Sequence, residues 1–190
     1  IVELCRVANA GLDEKSAKFD ELRKLEADAP GALERVRAAR STAGAGLESA
    51  ASHLEQLRAT YSAEALTTVK DNIEQGRSRL AFADAQITEA AAAIAAGNRS
   101  QAAVGIRAAE EATSQARLLA GAIDKLGTDL GSAAQNISAL ITDLEGDLVT
   151  AASLPDADGR LAAMTASTRQ QIESARTQLS AAGGNPLAAL

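Results

Sequence analysis

One histidine, His53, and one cysteine, Cys5, are all the sequence offers of the side chains most used for acid–base and nucleophilic work near neutral pH. A nucleophile needs a base within hydrogen-bond reach, and nothing in the spacing brings Cys5 and His53 together. His53 flanks a Leu54/Leu57 stripe and reads as a solvated or half-buried helical residue. Cys5 reads as a small buried hydrophobe; alone it closes no internal disulfide and supports no cysteine-based metal site. Glu110 and Glu111 superficially resemble the carboxylates of a di-iron bundle. That chemistry takes Glu-x-x-His pairs from facing helices, which a single histidine cannot supply. Asp156 and Asp158 have Asp-x-Asp-Gly spacing but lack the further oxygen ligands and terminal glutamate of a calcium loop, so an ordinary polar turn is expected. No glycine-rich phosphate loop occurs, and Asn98, Arg99 and Arg107 near a helix start read as capping and surface charge. The sequence therefore predicts no catalytic residue, no cofactor-binding residue, no metal ligand and no enzyme.

The elements that carry these residues are helices. Of all residues, 46% are hydrophobic but only 2% aromatic, and tryptophan is absent. Alanine supplies most of the apolar content and buries little area per residue, so narrow helix–helix seams are expected instead of a thick core. The prolines stand at 30, 155 and 186, leaving long intervals without a strong breaker. Nineteen basic residues are scattered among 25 acidic ones for a net charge of -6, which argues against nucleic acid and an anionic membrane surface as partners. No signal peptide or membrane-spanning run is visible. The start at Ile1 and the end at Asn185-Pro186-Leu187, itself a helix start, suggest a fragment of a longer protein.

The spacing predicts a first helix to Ala27, a turn at Asp28–Gly31, and a second helix over Ala32–Thr60. The second carries Leu33, Val36, Arg40, Ala43, Leu47, Ala50, Leu54, Leu57 and Tyr61 in alternating steps of three and four. Arg40 interrupts this stripe. A third helix is expected over Ala63–Ala96, with Leu66, Val69, Ile73, Gly76, Leu80, Ala83, Ile87, Ala90 and Ile94 facing a partner and Gly76 marking a close crossing. Gly97-Asn98, with Gln101, reads as a helix stop followed by a capping box. The fourth helix, Ser100 to about Leu148, keeps the rhythm from Ile106 through Leu130, Ile137, Ile141 and Leu144 to Leu148, for a length on the order of 70 Å if unbroken. Its likeliest bends are at Gly121, Gly127 and Gly131, and Leu119, Leu126 and Leu140 form a second strip suggesting further neighbours. A loop over Thr150–Gly159 leads to a last helix over Arg160–Ala182, with Leu161, Met164, Ile172, Ala175 and Leu179 apolar. Ile87, Ala90, Ile94 and Gly97-Asn98 are echoed by Ile172, Ala175, Leu179 and Gly184-Asn185, a hint of repeated hairpins.

The fold class expected is all-α: an elongated antiparallel coiled-coil or helical-hairpin bundle with one very long helix. It reads as a single region over 1–190, with an N-terminal hairpin over 1–60, a long central hairpin over 61–150, and a C-terminal helix with the start of another over 160–190. Leu80, Phe82, Ile87, Leu119 and Leu126 are the packing or interface candidates, with Phe82 one step off the main seam.

Tyr61-Ser62-Ala63, Ala65-Leu66, Val69, Asn72, Gln75, Arg79-Leu80-Ala81-Phe82-Ala83 and Ala96-Gly97-Asn98-Arg99 resemble the helical region of actinobacterial TPM-domain-containing membrane proteins. The resemblance continues through Arg107-Ala108-Ala109-Glu110, Ala112, Gln115-Ala116, Leu118-Leu119 and Gly184-Asn185-Pro186-Leu187. Gly76 departs from the alanine common in the pattern, and Asn185 from a frequent aspartate. The resemblance implies a signal sequence, an exported TPM domain and a membrane span ahead of a long helical region. This segment would then lie beyond the span, on the cytoplasmic side, itself soluble within a membrane-anchored parent. No catalytic residue of the TPM domain maps onto these positions. The function expected is a structural or protein-interaction module, with this chain itself or another helical protein as partner. One alternative is a ligand-sensing bundle using Arg107, Gln115 and Asn136; another is a secreted or phage coiled-coil protein.

Overall fold

A computed structural model of the chain describes residues 20, 22–156, 159–180 and 184–188. It is all-α among these residues, without a sheet, and has one long helix. Residues 22–27 are helical, and four helices follow: α1 (Ala29–Thr60), α2 (Asn72–Ala95), α3 (Arg99–Ala151) and α4 (Arg160–Ser180), then a 3-10 turn over Pro186–Ala188. Cys5 and Asp158, and most of the first expected helix, lie outside the described residues.

The expected turn at Asp28–Gly31 narrows to Asp28. Backbone bonds of helical spacing run on both sides of it, from Asp28 to Lys24 and from Ala32 to Asp28, and Pro30 occupies the first turn of α1, where a missing N–H costs least. Residues 22–60 therefore contain no hairpin reversal.

The third predicted helix starts nine residues late, at Asn72 and not at Ala63. Residues 63–71 form turns instead. Thr67, Thr68 and Val69 are consecutive β-branched residues, unfavourable in a helix. The Thr67 hydroxyl donates to the Ala63 carbonyl, and the Thr67 and Val69 amides bond three residues back, to Glu64 and Leu66. Leu66 and Val69 are nonetheless buried, so the stripe survives the change of backbone.

α3 runs unbroken for 53 residues, about 80 Å, and none of its glycines interrupts it. Its start is a paired stop and cap. Gly97 adopts φ +75°, and the Asn98 and Gly97 amides bond the Ala93 and Ile94 carbonyls, ending α2. Asn98 Oδ1 then accepts the Gln101 amide at 3.1 Å, while its Nδ2 donates to Gln101 Oε1 at 3.0 Å. The Asn98 backbone N–H is already committed, so the glutamine meets the side-chain amide instead of the backbone.

The chain forms two compact units. Unit 1 (Ile1–Ser49, Asn72–Ala120) packs the first part of α1, α2 and the start of α3 around one alanine-rich core. That core joins Leu33 and Val36 to Ala83, Ile87, Ala90 and Ala93, and to Ala102, Ile106, Ala109 and Ala112. Close approach is built in. A Cβ on Gly76 would lie 2.6 Å from Leu47 Cδ1, and one on Gly105 would lie 3.2 Å from the Gln86 carbonyl oxygen. Arg40 keeps its place on the stripe by extending its head to Asp84, with two bonds of 2.6 Å. Gly44 gives that guanidinium its room, since a Cβ there would meet Arg40 at 2.9 Å.

Unit 2 (Ala50–Asp71, Gly121–Leu190) contains the end of α1, the second half of α3, and α4. Leu54, Leu57, Ile123 and Leu130 are buried within it. A smaller cluster joins Ile137, Ile141 and Leu148 of α3 to Ile172 of α4, with Ala175 and Leu179 beside it. Met164, expected on the inner side of the last helix, is exposed. The inner line is Thr165, Ile172 and Leu179, spaced by sevens, and Met164 stands one step off it.

Candidate functional site

Of the residues flagged for chemistry, His53, Glu110, Glu111 and Asp156 are each occupied by a local structural task. His53, half-buried in unit 2, places Nδ1 2.8 Å from Asp124 Oδ1, so α1 and α3 meet there through a hydrogen bond. A carboxylate only accepts, so Nδ1 carries the hydrogen. The ring's other edge lies over Gly127, where a Cβ would come within 2.8 Å of Cε1 and Nε2. Glycine at 127 makes room for this imidazole and does not bend the helix. Glu110 pairs with Arg107 at 3.8 Å, and Glu111 accepts from Gln115 at 3.3 Å, both along their own helix. Asp156 caps α4, accepting the Leu161 and Ala162 amides at 3.1 and 2.8 Å. Among the described residues no group of three His, Cys, Asp or Glu side chains could hold a metal ion.

Arg107 and Asn136 are exposed and Gln115 half-buried, and none of the three lines the grooves described below. Of the packing candidates, Leu80 and Ile87 are buried, Leu119 and Leu126 half-buried, and Phe82 49% exposed. Asn72, absent from the sequence reading as a site, is buried and donates to the Leu119 carbonyl at 3.0 Å. Its polarity within an apolar stripe was the signal that could have found it.

Large apolar side chains are exposed in unit 1 at Phe82, Val104 and Leu118, and in unit 2 the exposed apolar surface includes two grooves. Beyond the end of α1 the α3–α4 hairpin carries two shallow grooves of about 630 and 610 Å³. Leu148, Val149, Ala152 and Ile172 line the first, between Glu145, Arg169 and Glu173. Ile141 and Leu179 line the second, with Ser138, Thr142 and Arg176. Arg176 reaches Glu145 at 2.7 Å and so ties the two helices across the floor. On another side of α3, Leu140 and Leu144 stand exposed one turn apart. Leu144 was expected inside; its stripe is covered only where a third helix is present.

The whole is an all-α helical bundle whose described residues show no disulfide, metal cluster or aromatic cluster. The chain is similar to two Mycobacterium tuberculosis proteins, UPF0603 protein MT2410 (strain CDC 1551 / Oshkosh) and UPF0603 protein Rv2345 (strain ATCC 25618 / H37Rv). Each is 29% identical over 141 residues, which cover 73% of this chain and 21% of the relative. The chain thus matches about a fifth of the length of these curated relatives. No family model and no solved structure matches it.

Proposed function

We propose that this chain is a non-catalytic, coiled-coil-like interaction module of a membrane-anchored bacterial protein. It works by presenting helical surfaces to another copy of itself or to a helical protein. The observation that carries the reading is the exposed Leu140/Leu144 pair on α3, at 54% and 41% exposure. Residues one turn apart share a helix face, and leucines there gain by burial against a partner helix. Resemblance to the helical region of TPM-domain proteins supports placement beside a membrane span, on the cytoplasmic side. No helix of the described residues is itself long and apolar enough to cross a membrane, so the anchor would belong to another part of the parent.

The test is site-specific photo-crosslinking from position 140 in bacteria producing the parent protein, with position 143, on a polar part of α3, as control. A discrete adduct at 140 that disappears with Leu144→Asp is expected. Absence of any adduct at 140, or equal adducts from 143, would overturn the reading.

A further inference from the structure

The first groove of the α3–α4 hairpin carries a two-fold pattern of its own. Val149, 75% exposed, stands on its α3 wall, and three residues to either side stand Gly146 and Ala152, both exposed. A Cβ on Gly146 would meet nothing within 4 Å. One branched apolar side chain flanked by small residues lets another helix come close. On the α4 wall Arg169 and Glu173, opposite charges four residues apart, stand beside Ile172. Arg176 is shared by Glu145 and Glu173, at 2.7 and 3.5 Å. Arg169 has no ion-pair partner among the described residues, so this rim of an apolar groove lacks a carboxylate.

Two copies of one helix laid antiparallel about a two-fold axis pair residues whose numbers have a fixed sum. The sum that sets Arg169 of one copy against Glu173 of the other centres the α4 pair at residue 171, and symmetry makes the contact twice. The hairpin fixes which part of α3 lies level with that centre. Arg169, Ile172 and Glu173 face Leu148, Val149 and Ala152 across the groove, and Arg176 reaches Glu145. Residue 171 is therefore level with residues 149–150. The same axis sets Val149 against Val149 of the other copy, and Ala152 against Gly146 of the other copy. Charge on α4 and shape on α3 call for one axis. Glu145, the acidic α3 residue lining this groove, is held by Arg176. Its two copies would stand eight residues apart, about 12 Å, beyond a screening length at physiological salt.

We propose that two copies of this chain associate face to face through the first groove, antiparallel, about a two-fold axis level with Val149. Val149 of each copy fills the groove of the other, and Arg169 of each pairs with Glu173 of the other. A partner of different sequence would have to reproduce this pattern, whereas a second copy brings it unchanged. Below the dissociation constant of the dimer the groove stands open to solvent. The inference rests on the helix-packing reading and names the partner at a surface other than Leu140/Leu144. A failed crosslink at 140 would leave it standing, and a chain that stays monomeric would leave a crosslink from 140 to a different protein intact.

The experiment is sedimentation velocity on the full chain over a range of concentrations, with circular dichroism to confirm that each variant stays helical. The unmodified chain is expected to dimerise as its concentration rises. Arg169→Glu alone and Glu173→Arg alone each bring like charges together at two places, and each should weaken the dimer about tenfold or more. An equimolar mixture of those two variants restores both pairs and should dimerise as the unmodified chain does. Val149→Asp should weaken the dimer as strongly as the single charge variants, and Leu144→Asp should leave it unchanged. A monomer at every concentration, a dimer indifferent to Val149→Asp, or a mixture no tighter than its components would overturn the proposal. A dimer that Leu144→Asp dissociates would assign the contact to the other face and overturn it as well.

Discussion

Unit 1 and the α3–α4 hairpin of unit 2 are built from the same rhythm of apolar residues, yet one is closed and the other open. In unit 1 three helices contribute, and residues as small as Ala83, Ala102 and Ala109 reach complete burial. In the hairpin two helices contribute, and larger side chains such as Ile141, Leu148 and Ile172 still border grooves. Side chains are buried in both seams, Ile87 at 9% and Ile172 at 4% exposure, so what differs is the flank: the hairpin's seam opens onto grooves where no third helix of the described residues stands.

The largest effect expected from this contrast is at the closed core. Ile106→Ala, at a fully buried position, should cost about 2–5 kcal/mol, and Ile141→Ala less because its site borders a groove instead of a closed core. Urea unfolding followed by circular dichroism, with exchange to localise the loss, checks the order; equal costs would break the comparison. Next comes a glycine pair. Gly76→Ala pushes a methyl into Leu47, whose side chain is fully buried, and should destabilise by about 1–3 kcal/mol. Gly131→Ala, with nothing within 4 Å, should instead stabilise by up to about 1 kcal/mol. Opposite shifts in thermal midpoint are the readout.

Caps come third. Asn98→Ala and Asp156→Ala should each cost about 1 kcal/mol, with faster exchange confined to the first turns of α3 and α4 respectively. The smallest effect belongs to Asp84→Asn, which weakens the partly exposed pair with Arg40 by less than about 1 kcal/mol. That loss should shrink as salt is added, and a salt-independent loss would show that packing and not charge was disturbed.

Much of this fold could be read from residue spacing. The stripe Leu80, Ala83, Ile87 and Ala90 is buried as its periodicity requires, Gly76 is a close crossing, and Gly97-Asn98 stops one helix and caps the next. Spacing could not tell that residues 63–71 leave the α-helix, because Leu66 and Val69 keep the rhythm while the neighbouring threonines change the backbone. Nor could it tell that Gly127 makes way for His53, since the contact joins residues 74 apart. Leu144 shows the remaining gap. A stripe states which side of a helix is apolar, but not whether a neighbour is there to cover it. For the candidate surface, the echo of Ile87, Ala90 and Ile94 in Ile172, Ala175 and Leu179 was visible in the sequence; the open groove was not.

Residue-resolved hydrogen exchange along α3 in the unmodified chain tests the central claim most directly. One continuous helix with a closed first half and an open far end should show slow amides over residues 102–130 and amides faster by about a hundredfold or more over 138–151, without loss of helicity at either end. Equal protection along the whole of α3 would contradict it.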